Sequence, residues 1–288
     1  MFEYLEGTDL RAYICMLQGS DRRLIFVLEG KSDVRSLERF VDQDECTVIA
    51  GYGKAAILEA FYELEIANQD RCVALVDRDF SDLIDEHVPS NVILTELHDR
   101  EADLLLRANL IDDFISAISV PQMMSDLLKD SGDSNLRSAI VRVAIIVGSV
   151  RLYSQLESLG LNLSKLPFGT LVKRPMRLDT HELMQMIVKK TSNCDLDPHR
   201  LVERLPTTTV EPRDRICSGH DLISIISVSS NWWSSQNVGK REINNYILAT
   251  VRLDVLEKLL WYRELASWAT AKGHKIWQEL PSPVPKAN

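Results

Sequence analysis

Three short, nearly uninterrupted apolar runs, each closed by a polar or glycine-rich turn, constrain this chain more than any other feature of its sequence. They are Leu24-Ile25-Phe26-Val27-Leu28, Thr47-Val48-Ile49-Ala50 and Cys72-Val73-Ala74-Leu75-Val76. A strand with one wet face alternates apolar and polar side chains. A strand without alternation is buried on both faces, as in a parallel sheet covered by helices. Helical patterns separate the runs. Ser32 or Asp33 can cap a helix reaching Phe40-Val41, and Ala55 to Ala67 carries Ile57, Leu58, Phe61 and Leu64 at helical spacing. Asn91 to Thr95 supplies a fourth strand. The expected fold class is therefore α/β: a parallel sheet with right-handed crossovers, flanked by helices.

In such sheets the carboxyl ends of the strands share one edge, where ligands bind. Glu29-Gly30, Gly51-Tyr52-Gly53-Lys54 and Asp77-Arg78-Asp79 all follow strand ends, so three distant pieces of sequence are expected at that edge. Carboxylates gathered this way repel one another and either hold a cation or share protons. Oxygen-only ligands favour Mg²⁺ or Mn²⁺ over zinc, and such ions support phosphodiester chemistry. Glu29, Asp77 and Asp79 are the expected metal ligands. Lys54, in a turn too short for a Walker motif, can present its ammonium and the following helix N-terminus to a phosphate; a plain strand-to-helix turn explains the glycines equally well.

Beyond Glu101 the pattern is helical: Leu104 to Ile118, Met123 to Lys129, Asn135 to Ser158, Thr180 to Lys190 and Glu242 to Lys272, with Pro167, Pro175 and Pro212 as punctuation. The expected organisation is a helical lead over 1–21, a catalytic domain over 22–105, a mostly helical region over 106–280 for partner, dimer or substrate contacts, and a tail over 281–288. The most apolar stretch, Ala139 to Val147, is short and interrupted by Arg142, so it reads as buried structure and not as a membrane span. The five cysteines form no CxxC pair, and the first residues carry no basic start before an apolar run. Both point to a cytoplasmic protein without a disulfide framework.

The net charge of −9 excludes a bulk polyanion binder, but the charge is uneven. Residues 171–288 hold 17 Lys and Arg against 13 Asp and Glu, whereas residues 1–170 hold 16 against 29. Any nucleic acid must be gripped by local basic clusters, for which Lys31, Lys173-Arg174 and Lys189-Lys190 are the candidates.

Phe26-Val27-Leu28-Glu29-Gly30-Lys31-Ser32-Asp33-Val34, with Gly51-Tyr52-Gly53-Lys54 and Val76-Asp77-Arg78-Asp79, resembles the Toprim domain of topoisomerases, primases and nucleases. The resemblance covers about 22–105 and implies a four-stranded parallel sheet, Glu29 as the catalytic carboxylate, and a Mg²⁺-binding Asp77/Asp79 pair. Leu28 to Asp33, Asp77 to Phe80, Thr95 to Glu101 and Ser218 to Leu222 are more specifically similar to the Toprim-like nucleases paired with ATPases in bacterial anti-phage defence, the AriB-type effectors of the PARIS system. That similarity implies a toxic nuclease, held in check by an ATPase partner protein, whose substrate is transfer RNA. A DNA nuclease of the overcoming-lysogenization-defect type and a non-catalytic subunit of the ATPase complex are the alternatives. Asp33 matches the family aspartate four residues past the glutamate and is equally suited to capping a helix. Asp99 and Glu101 can supply a second metal or orient other groups, and His220 can complete the site or serve a structural turn.

The aromatic residues divide. Trp261, Trp268 and Trp277 lie among leucines at helical spacing, the pattern of a core or partner face. Trp232-Trp233, within the serine-rich Ser229 to Gln236, reads as an exposed loop pair able to stack on bases or anchor an interface.

Overall fold

The structure, a computed structural model, describes residues 7–67, 69–191 and 213–279. Pro212, Cys194 and the expected 281–288 tail lie outside the described residues. The described chain forms two compact units. Residues within Met1–Asp77, His87–Thr95 and Val251–Asn288 make the first, and those within Arg78–Glu86 and Glu96–Thr250 make the second. These units cut the chain differently from the contiguous 22–105 and 106–280 stretches, because the last helices return to the unit that holds the sheet.

That unit is an α/β structure. Strands β1 (Leu24–Leu28), β2 (Cys46–Ala50), β3 (Cys72–Val76) and β4 (Val92–Leu94) form a parallel sheet in the order β2-β1-β3-β4. β1 and β3 are buried at every position, as their unbroken apolar runs require. Helices α1 (Gly7–Ser20) and α3 (Lys54–Ile66) pack on one another. Ile25, Val27, Ala74 and Val76 share a core with Leu10, Ile14, Ile57, Phe61 and Leu64. Helix α2 (Lys31–Leu37) passes into a 3-10 turn over Glu38–Phe40.

The carboxyl-terminal segment completes the other side. The Leu260–Ala271 helix packs near β4. Trp277 meets the edge of Phe26 at 5.8 Å between centroids, stacks on Tyr262 at 4.5 Å, and donates from Nε1 to the Tyr262 carbonyl at 3.1 Å. Trp261 and Trp277 are buried, in keeping with the core reading of this stretch. The expected single helix over Glu242 to Lys272 is instead three: Lys240–Thr250, Leu253–Leu256 and Leu260–Ala271.

The second unit is mostly helical. Its long Leu136–Leu156 helix is capped by the Asn135 side chain, which accepts from the Ser138 N–H at 2.8 Å, and packs on the Gly219–Trp233 helix. Among the described helices this one is long and apolar enough to cross a membrane, yet 56% of its apolar window is buried inside the fold. Arg142, the charge that interrupts it, makes a two-bond contact with Asp133 at 3.0 and 2.7 Å. Gly148 is required here: a Cβ would collide with the Ile216 carbonyl of the adjacent 3-10 turn.

The serine-rich stretch expected as a loop over Ser229 to Gln236 is helical up to Trp233 and leaves the helix only from Ser234 on. Ser229 to Trp233 end the Gly219–Trp233 helix, and Trp233 is fully buried with its Nε1 3.3 Å from Ser229 Oγ. Ser224, Ser229 and Ser230 turn their hydroxyls back to carbonyls three or four residues earlier, so a polar composition sits within a packed helix. An exposed base-stacking pair at Trp232-Trp233 is thereby corrected. The expected helix over Leu104 to Ile118 is also broken, by a π-helical turn over Asp103–Arg107 and by Asn109 at φ 64°.

Candidate functional site

β1 and β3 are hydrogen-bonded neighbours, so their carboxyl ends deliver Glu29 and Asp77 side by side. The Asp77 N–H donates to Glu29 Oε1 at 2.6 Å. β2 lies on the other side of β1, and its glycine turn is bonded to the same strand end: Gly51 N–H to the Leu28 carbonyl at 2.7 Å, Gly53 N–H to the Glu29 carbonyl at 3.0 Å. Gly53 precedes α3 at φ 110°, a conformation that excludes most side chains, and Lys54 is the first residue of that helix. At Gly51 a Cβ would overlap Ile57 and press on Val27, so the turn lies flat against the core. Thus Glu29, Asp77 and the Gly51–Lys54 turn stand at one sheet edge.

Asp33 caps a helix. Its Oδ2 accepts from the Gly30 N–H at 2.8 Å, so Gly30 is the N-cap in place of the expected Ser32 or Asp33, and Asp33 is the N3 partner. Lys31 is exposed, with its Nζ 5.8 Å from the centre of the Tyr52 ring.

A second set of candidates is organised around Asp99 in the helical unit. Asp79 has φ 48° and donates its N–H to the His98 carbonyl at 2.7 Å. His98 Nδ1 lies 3.8 Å from Asp79 Oδ1 and 3.5 Å from Asp99 Oδ2, and its ring meets Phe80 edge-on at 5.0 Å. Asp99 is 4% exposed and fully engaged: Oδ1 accepts from the Ala102 N–H at 2.8 Å, Oδ2 from Ser218 Oγ at 2.8 Å, and both from the Gly219 N–H at 2.9 Å. Burial pushes its pKa up, but His98 and these donors outweigh burial and hold it below the usual aspartate value. Asp99 therefore clamps the 98–102 turn to the start of the Gly219–Trp233 helix. Glu101 is half-buried and pairs with Arg100 at 3.0 Å. His220 is exposed in the first turn of that helix, while its neighbour Asp221 is buried and bonds Arg151 through both oxygens.

Asp103, which composition gave no reason to single out, is fully buried and accepts from the Glu96 and Leu97 N–H groups at 2.8 and 2.7 Å. Burial pushes its pKa up to about 7 against the pull of those two donors. The only trace in sequence is an acid opening the apolar run Leu104-Leu105-Leu106. Lys173 and Arg174 are exposed in a two-stranded hairpin, Val172–Lys173 with Arg177–Leu178, at the end of the first strand and the start of its turn. The thiols of Cys46 and Cys72 are pushed up to about 12 by burial, which leaves them unsuited to nucleophilic work.

Among the described residues, no group of three or more His, Cys, Asp or Glu side chains is disposed to hold a metal ion, so the expected Glu29, Asp77 and Asp79 set is not gathered as a three-ligand cluster. Glu29 and Asp77, which follow the neighbouring β1 and β3 ends, are nevertheless of the oxygen-donor type that suits Mg²⁺, which takes one or two carboxylates and fills its shell with water and substrate oxygens. Compared with models of known protein families and with curated proteins, the chain matches none.

Proposed function

We propose that this protein is a Mg²⁺-dependent Toprim-like nuclease that hydrolyses phosphodiester bonds in RNA, acting in the cytoplasm. The observation that carries the reading is the Asp77 N–H to Glu29 Oε1 bond between adjacent parallel strand ends. It ties the Glu29 carboxylate to the backbone of Asp77, beside a Gly-x-Gly-Lys turn that opens a helix. Transfer RNA as substrate, and an ATPase partner that restrains the toxic effector until an infecting phage triggers it, follow from the resemblance to defence nucleases.

Glu29 and Asp77 would hold the ion, with Asp79 two residues farther along the chain as the further ligand of the family pattern. When bound, it would polarise the scissile phosphate and lower the pKa of the attacking water. The chain's own groups supply the rest. The Asp77 amide fixes the orientation of Glu29, whose carboxylate takes a proton from the nucleophilic water. The α3 N-terminus and the Lys54 ammonium bind phosphate oxygens. Lys31 extends the basic contact along the backbone.

Expression of wild type and Glu29→Ala in cells, followed by sequencing of cleaved RNA, tests the reading. Toxicity and cut RNA from wild type alone are expected. Equal toxicity with identical RNA from both proteins sinks it. Mg²⁺-dependent DNA nicking, lost in Asp77→Ala, would assign the same site to DNA. Co-purification with an ATPase separates a restrained effector from a free-standing nuclease.

A further inference from the structure

Asp79 differs from Glu29 and Asp77 in how it is held. It stands two residues beyond Asp77, at φ 48°, a left-handed conformation that a residue with a Cβ keeps only where its surroundings impose it. The imposing bond comes from His98, whose carbonyl accepts from the Asp79 N–H at 2.7 Å. The Asp79 side chain is 45% exposed, so burial does not fix its rotamer.

His98 is fixed far more tightly. Its side chain is 12% exposed, its ring stands edge-on to Phe80 at 5.0 Å, and Phe80 is itself buried against Leu152 and Ile216. Its neighbour Asp99 is anchored by the Ala102 and Gly219 amides and the Ser218 hydroxyl.

The His98 Nδ1 is the informative atom. It is buried and makes no hydrogen bond, with Asp99 Oδ2 at 3.5 Å and Asp79 Oδ1 at 3.8 Å. Beside two carboxylates this nitrogen carries its hydrogen, because a bare lone pair would face acceptors alone. A buried donor without an acceptor costs about 1–3 kcal/mol, and a carboxylate need approach by only about 1 Å or less to remove that cost. Asp99 Oδ2 already accepts from the Ser218 hydroxyl and the Gly219 N–H, and it is buried in that arrangement. The Asp79 carboxylate, on the exposed side, has room to move.

We propose that His98 is a positioning residue for Asp79: its Nδ1–H donates to Asp79 Oδ1 and sets the carboxylate so that Oδ2 is offered to a divalent cation. The imidazole, held by Phe80 and by the anchored Asp99, is the fixed stop against which an otherwise exposed acid is oriented. This inference rests on the metal-dependent reading of Glu29, Asp77 and Asp79, and it adds a residue that reading does not use.

Titration of the full chain with MnCl₂, with free Mn²⁺ counted by electron paramagnetic resonance, tests it without relying on cleavage. His98→Ala and His98→Gln should bind Mn²⁺ about tenfold more weakly than wild type, and His98→Asn close to wild type. Asn carries its amide N–H near the position of an imidazole Nδ1 and Gln near that of Nε2, and both lose the ring contact with Phe80. Their melting curves should therefore agree, so that a difference in affinity reports the place of the donor and not the fold. Equal weakening in the Asn and Gln variants would reduce His98 to a packing residue and overturn the proposal. Wild-type affinity in all three variants would overturn it as well, while leaving the metal-dependent reading intact. Absence of Mn²⁺ binding by wild type, or binding unchanged in Asp77→Ala, would instead bring down that reading and the proposal with it.

Discussion

The backbone N–H of Asp77 and the carboxylate of Glu29 meet at 2.6 Å, across strands whose residues stand 48 positions apart in the chain. The bond ties the orientation of one acid to the position of the other, so the two are expected to act as a unit. Glu29→Gln keeps an oxygen for the Asp77 amide while removing the proton acceptor. It should therefore melt close to wild type and lose about 10²-fold or more in RNA cleavage. Thermal denaturation alongside a gel assay of cleaved RNA separates the two effects. Wild-type cleavage by Glu29→Gln would remove Glu29 from the chemistry.

Asp99 should matter for folding before it matters for chemistry. Asp99→Ala strands the Ala102 and Gly219 amides and the Ser218 hydroxyl, and is expected to cost about 2–4 kcal/mol. Gly219→Ala should show a similar loss, because its Cβ would run into Glu101 and the Ala102 nitrogen. Urea denaturation of the two variants measures both losses; wild-type midpoints would mean that the clamp carries no stability.

Asp103 and Asp99 predict opposite pH dependences. The folded pKa of Asp103 is raised to about 7, so its contribution to stability is present in full below about pH 4 and is lost as pH rises through 7. The folded pKa of Asp99 is depressed, so its contribution is present above the unfolded aspartate value and is lost as pH falls through the folded one. In Asp103→Asn the loss of stability between pH 4 and 7 should therefore shrink. Melting temperatures measured across that range provide the check, and parallel curves for the two proteins would contradict it.

The Arg151–Asp221 pair is a second structural hold within the helical unit. Asp221→Ala removes the two-bond partner of the partly buried Arg151 guanidinium, at an expected cost of about 1–3 kcal/mol. Exposed His220, by contrast, should tolerate alanine with little change in melting temperature. Parallel melts of the two neighbouring variants distinguish a buried hold from a surface position.

Lys173 and Arg174 test the proposed RNA contact. Both are exposed, so the double alanine variant should fold normally. If each neutralises one phosphate, the slope of log affinity against log salt should fall by about 2 for RNA. An unchanged slope would assign the grip to other residues.

The sheet was legible because its causes are local. A five-residue apolar run buried on both faces needs no distant information to be recognised, and the glycines that turn it into a helix are adjacent to it. The edge carrying Glu29, Asp77 and Lys54 follows from that sheet. Local patterns misled where burial ran against composition. The serines before Trp233 look like a loop until their hydroxyls are seen to bond within the helix, and a buried Asp103 is invisible without the amides it accepts from.

The sequence by itself determined the parallel α/β core and which acids end its strands, since side-chain periodicity and chain direction fix both. Only the tertiary structure decided the long-range closures. Trp277 returns to cover Phe26, Gly219 closes on Asp99 across 120 positions, and Glu29 receives the Asp77 amide. Each depends on contacts between segments whose separation the local pattern does not encode. The acids at the strand ends were therefore readable one by one, and the bond that joins two of them was not.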